Sequence, residues 1–134
     1  MKVLVLDDDP LVRSFLQGFL VRYGHEVVSY PSPVACPIFT YPVCPCGMDG
    51  RCPDAVLTDV RMPGADGLTF TEELRRKGCR CQHVALMSGT WTDADPARSK
   101  RLGLTVFAKP FHADKLLVWL SRVEKTAAST AIHA

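Results

Sequence analysis

Polar groups of three kinds, carboxylate, hydroxyl and ammonium, stand at the ends of four apolar runs in this chain. Asp7 and Asp8 follow Val3-Leu4-Val5-Leu6, and Asp59 closes Ala55-Val56-Leu57-Thr58. Ser88 ends Val84-Ala85-Leu86-Met87, and Lys109 follows Thr105-Val106-Phe107-Ala108. Grouped carboxylates want a hard cation with oxygen ligands, and Mg²⁺ held through one or two carboxylates plus a substrate phosphate fits. A lysine and a small hydroxyl suit phosphate oxygens. A carboxylate can itself be the nucleophile and become an aspartyl phosphate. The cation and the lysine would then neutralise charge on the equatorial oxygens during transfer. The run Asp7-Asp8-Asp9 repels itself unless something positive sits among the three. No histidine, cysteine or serine–base pair accompanies the set.

Such chemistry needs the strand ends brought to one place, and the chain has the elements to do it. Its 134 residues suit one domain, and 47% apolar content is ample for a core. With 16 basic and 14 acidic residues the net charge is +2, too balanced to imply a nucleic-acid or membrane partner through bulk charge. The apolar start Val3 to Leu6 is too short for a signal-peptide core, and there is no 18-residue apolar run, so a cytoplasmic location is expected.

Val3 to Leu6 reads as a strand buried on both faces, central in a parallel sheet. Asp9-Pro10 starts a helix, with Asp as N-cap and Pro at the first position. Leu11, Val12, Phe15, Leu16, Phe19 and Leu20 recur at helical spacing, and Tyr23-Gly24 ends the helix. Glu26 to Tyr30 is a second strand, and a strand–helix–strand unit of this length takes a right-handed crossover. Residues 31–53 then hold six of the ten prolines and Cys36, Cys44, Cys46 and Cys52. An interior proline costs a helix about 3 kcal/mol, so only a turn or two is expected around Ser32 to Tyr41.

A third strand ends at Asp59. A helix from about Asp66 to Lys77 should turn Leu68, Phe70, Thr71 and Leu74 inward. A fourth strand, Val84 to Ser88, precedes a short helix capped by Thr92 or Asp93 and closed by Gly103. Thr105 to Ala108 is a fifth strand. The last amphipathic helix runs from about Ala113 to Thr126, with residues 127–134 as a tail. The class is α/β, and the polar strand ends fall at one edge of a doubly wound parallel sheet.

These motifs in this order resemble the receiver domain of two-component response regulators. The matching segments are Val5-Leu6-Asp7-Asp8-Asp9-Pro10, Thr58 to Gly67, Met87-Ser88-Gly89-Thr90 and Phe107-Ala108-Lys109-Pro110-Phe111. The resemblance implies a flavodoxin-like sheet of order 2-1-3-4-5 over residues 1–126. It implies that Asp59 is the phosphoacceptor, and that Mg²⁺ is bound by Asp8 and Asp59 directly, by Asp7 through water and by the backbone carbonyl of Arg61. Lys109 would pair with the phosphoryl group and Ser88 would hydrogen-bond to it. A cis Lys109-Pro110 bond is common in the family.

Two departures stand out. The position of the family's switch aromatic holds Val106, with Phe107 beside it. A Pro/Cys-rich loop largely replaces the second helix. In the implied strand order, Cys52, Cys79 and Cys81 precede neighbouring strands, at the edge opposite Asp59. Cys44 and Cys46 are close enough in sequence to reach them. Four such thiolates would bind a structural Zn²⁺; free thiols and one or more disulfides are the alternatives. Trp91 and Trp119 read as packing residues.

The expected function is that of a non-enzymatic phosphoacceptor. A histidine kinase or phosphotransfer protein would phosphorylate it on Asp59, and it would signal to an unknown downstream protein by contact. A phosphorylation-independent adaptor or thiol/metal sensor is the alternative. An aspartyl phosphatase would need a second acid near its nucleophile, where Arg61 stands instead.

Overall fold

The computed structural model describes residues 1–44, 52–89, 95–109 and 112–133, with side chains through Thr126. Strands β1 (Lys2–Leu6), β2 (Glu26–Tyr30), β3 (Ala55–Asp59), β4 (His83–Ser88) and β5 (Thr105–Ala108) form one parallel sheet of order β2-β1-β3-β4-β5. This is the flavodoxin-like arrangement expected. The apolar runs of β1, β3 and β4 are buried on both faces, whereas β2 and β5 are half-buried edges. The helices are α1 (Pro10–Arg22), α2 (Pro37–Thr40), α3 (Gly67–Arg76), α4 (Pro96–Arg101) and α5 (Ala113–His133).

Because strand side chains alternate, each central strand feeds two cores. Val3, Val5, Leu57, Ala85 and Met87 face Leu16 and Leu20 of α1 and Leu116, Leu120 and Val123 of α5. Leu4, Leu6, Val56 and Val84 face Ile38 of α2 and Phe70 and Leu74 of α3. A smaller cluster of Val60, Leu68 and Leu86 meets Leu102, Leu104 and Val106 beside it. Burying side chains such as Leu16 or Phe70 contributes about 1.5–3 kcal/mol each.

Asp9 caps α1 as expected, its side chain accepting from the Leu11 N–H, with Pro10 at the first position. Asp66 caps α3 by accepting from Thr69 N–H at 2.6 Å. The Pro-rich segment forms a 3₁₀ turn, Pro33–Ala35, and the four-residue α2.

Three details differ from the sequence reading. Leu11 is 79% exposed and Phe15 55% exposed, because the buried stripe of α1 is narrower and centres on Leu16 and Leu20. Phe15 instead stacks on Phe19 at 5.9 Å between ring centroids. Asp95 caps α4, accepting from Arg98 N–H, and Pro96 follows it; Thr92 and Asp93 lie outside the described residues. The last helix runs to His133 rather than ending near Thr126.

Candidate functional site

Sheet register assembles the polar strand ends. Leu6 pairs with Thr58, so Asp7 and Asp59 leave β1 and β3 side by side. Asp59 pairs with Met87 and Ser88 with Ala108, which brings Ser88 and Lys109 to the same edge. The Lys109 N–H donates to the Ser88 carbonyl at 2.7 Å. One carboxylate oxygen each of Asp7, Asp8 and Asp59 lies within 4.8 Å of the others. The Lys109 ammonium lies 2.8 Å from Asp7 Oδ2 and 3.2 Å from Asp59 Oδ2. Asp7 is fully buried, Asp59 nearly so, and Asp8 exposed.

Asp7 is held from three directions. Lys109 takes Oδ2, the Asp9 N–H donates to Oδ1 at 2.8 Å, and the Arg13 guanidinium donates to its carbonyl at 2.7 Å. Asp59 is held less firmly. Burial pushes its carboxyl above the ordinary range and the Asp7 charge adds to this, while Lys109 opposes both. Burial works against the charge of Lys109, but its hydrogen bond to Asp7 and the charges of Asp59 and Asp7 outweigh that and raise it. Three carboxylates converge against one ammonium here. This all-oxygen, net negative donor set suits a hard divalent cation, so the residues present fit Mg²⁺.

Ser88 is buried at the end of β4, and Arg61 is exposed two residues beyond Asp59. Val106 packs in the Leu86 cluster, while Phe107 points to the other face and meets Trp119 edge-on at 6.0 Å. Pro110 and Trp91, and with them the Lys109-Pro110 bond, lie outside the described residues.

The structure adds residues that spacing alone does not reveal. Arg13 carries no motif signal, although its position one turn into α1 places it near Asp7. Gly67 donates its N–H to the Val60 carbonyl at 2.9 Å, and a Cβ there would collide with the carbonyl oxygen of Asp59. Its place right after the cap Asp66 was the available clue. Gly64 has φ +92° and faces Val34, so the turn after Asp59 packs against the 3₁₀ segment.

At the other end of β3 the cysteines gather. The sulfurs of Cys44, Cys52 and Cys79 lie within 4.8 Å of one another, with Cys44 and Cys52 3.8 Å apart. Cys81 is buried in the same apolar cluster, and Cys46 lies outside the described residues. The loop carrying Cys44 is clamped by Lys77, whose ammonium donates to the Phe39 carbonyl and whose own carbonyl accepts from Cys44 N–H at 3.0 Å.

Residues 3–121 match the family described as the response regulator receiver domain. The transcriptional regulatory protein AruR of Pseudomonas aeruginosa is 40% identical over 77 residues, covering 55% of this chain and 29% of AruR. The chemotaxis protein CheY of Bacillus subtilis is 26% identical over 117 residues, covering 87% of this chain and 91% of CheY. Thus the chain spans less than a third of AruR but most of CheY. Among solved structures, a Francisella response regulator 1452 receiver domain aligns with TM-score 0.76 at 21% identity, over 94% of this chain and 98% of that one. The response regulator TrrA of Thermotoga maritima, solved in complex with Mg²⁺-BeF, gives 0.70 at 23% identity, over 91% and 97%.

Proposed function

The chain belongs to the response regulator receiver domain family, and on that premise we propose that it accepts a phosphoryl group on Asp59 from a partner histidine kinase or phosphotransfer protein. The observation that carries this is the Asp59 carboxylate at the end of β3, 3.2 Å from the Lys109 ammonium and beside Asp7 and Asp8. An Asp59 oxygen attacks the phosphorus of the partner's phosphohistidine. The P–N bond breaks as the acyl phosphate bond forms, and the partner's imidazole recovers a proton.

Asp7, Asp8 and Asp59 would hold Mg²⁺, with the Arg61 carbonyl as a further oxygen ligand. Bound there, the ion would neutralise charge on the transferring oxygens. Lys109 leaves its contact with Asp59 to pair with a phosphoryl oxygen while keeping Asp7 as an anchor. The Ser88 hydroxyl supplies a hydrogen bond to the same group. Because the Lys109 N–H is bound to the Ser88 carbonyl, a pull on either group is felt at the ends of both β4 and β5. Phosphorylation would bias a two-state equilibrium at that face, read by a downstream protein. Phe107 is anchored on Trp119, so the switch would be carried by the Val106 and Leu86 cluster rather than by an aromatic. A cytoplasmic location accords with this reading; among the described residues no helix is long and apolar enough to cross a membrane.

The test is incubation with a small phosphodonor and Mg²⁺, followed by intact mass. One phosphoryl group should be gained by the wild type and none by Asp59→Asn. Equal gain by both proteins would place the chemistry elsewhere.

A further inference from the structure

We propose that Cys44, Cys52 and Cys79 form a structural site for a soft divalent metal, Zn²⁺ foremost, at the sheet edge opposite Asp59. The argument begins with distance. A Zn–S bond of about 2.3 Å in a tetrahedron sets neighbouring sulfurs about 3.8 Å apart. Cys44 Sγ and Cys52 Sγ are separated by 3.8 Å, and Cys79 Sγ lies within 4.8 Å of both. A bonded disulfide would need about 2.05 Å.

Three separate chain segments bring these sulfurs together. Cys44 ends the Pro-rich loop and is tied to α3 through the Lys77 carbonyl. Cys52 enters β3, where the Asp54 N–H donates to the Lys2 carbonyl at 2.8 Å and the Asp54 carboxylate accepts from Lys2 N–H. Cys79 follows α3, its N–H bound to the Leu74 carbonyl at 3.0 Å. A backbone N–H also points at one sulfur: Arg80 N–H reaches Cys52 Sγ at 3.4 Å. Such donors orient sulfur ligands and stabilise their thiolate form.

Asp54 is engaged with Lys2, and among the described residues the grouped donors are all sulfur, the soft kind that selects zinc over magnesium. The trio would occupy three of the four tetrahedral corners.

The site has a structural reason to exist. The prolines leave α2 with four residues, too few to fasten this quarter of the fold by helix packing. A metal joining loop, strand and helix end would supply the missing cross-link, and its binding energy would count as folding energy. The proposal does not depend on phosphorylation of Asp59.

The test uses the full chain purified under reducing conditions without added metal. Native mass and elemental analysis should find about one zinc per chain. Cys44→Ser, Cys52→Ser and Cys79→Ser should each lose at least about nine-tenths of it, while Cys36→Ser, in the same apolar cluster but outside the sulfur trio, keeps it. Should those variants misfold, cobalt exchange into the wild type decides: sulfur-to-cobalt charge-transfer absorption supports the site, and its absence overturns it. A zinc-free wild type with fully titratable thiols would equally overturn it. So would a mass two hydrogens light that maps to a Cys44–Cys52 disulfide.

Discussion

The two ends of β3 solve opposite electrostatic problems. Beyond Asp59 three carboxylates share one lysine, and the cluster is charged, partly open and short of positive charge. Before Ala55 three thiols crowd in an apolar setting that keeps the proton on Cys79. The first end is the one proposed to take a hard cation and a phosphoryl group, because its parts are carboxylate oxygens and an ammonium. The second is the end proposed to hold a soft cation, because its donors are sulfurs. One strand thus separates the proposed phosphoryl site from the proposed metal site.

Breaking only the charged end tests that separation most strongly. Asp59→Asn should abolish phosphoryl gain, as read by intact mass, while leaving zinc content unchanged; a fall in zinc would show that the two ends are coupled. Gly67→Ala comes next. Its Cβ would press on the Asp59 carbonyl, so a loss of about 1–3 kcal/mol in denaturant stability and slower phosphorylation are expected. At the thiol end, Lys77→Met removes the buried ammonium that holds the Phe39 carbonyl. It should cost about 1–3 kcal/mol and slow zinc retention against a chelator, with phosphorylation intact.

The smallest effect concerns pH. The folded state keeps the proton on Asp59 to higher pH than the unfolded chain does. Its contribution to stability is therefore present below about pH 4 and lost as pH rises through the raised folded value. Asp59→Asn, always neutral, should be more stable than wild type at pH 7 without Mg²⁺, by about 0.5–2 kcal/mol, and the gap should close in acid. Added Mg²⁺ should narrow the gap at pH 7 by binding the wild type. Thermal melts across pH would show this.

Much of this was legible locally. Four of the five strands are short apolar runs closed or followed at once by a polar residue, so Asp7, Asp59, Ser88 and Lys109 could be marked before any tertiary contact was known. The N-cap of α4 was equally legible, since Asp95-Pro96 repeats the Asp9-Pro10 signal; Thr92 and Asp93 drew attention from it. The exposure of Leu11 and Phe15 was not legible, because helical spacing gives a stripe but not its centre, which depends on where α1 sits against the sheet.

What the sequence by itself determined was the alternation of strands and helices, the shortness of α2, and which residues could do chemistry. Tertiary structure decided which of them meet. Parallel register set Asp7 beside Asp59 and carried Lys109 across 102 positions to Asp7. Strand alternation sent Phe107 to Trp119 and Val106 to the opposite face. Three thiols from separate segments became neighbours only because the chain closes on itself there. Local patterns fix dihedrals and faces, whereas distances between remote residues depend on how the whole sheet is paired and covered.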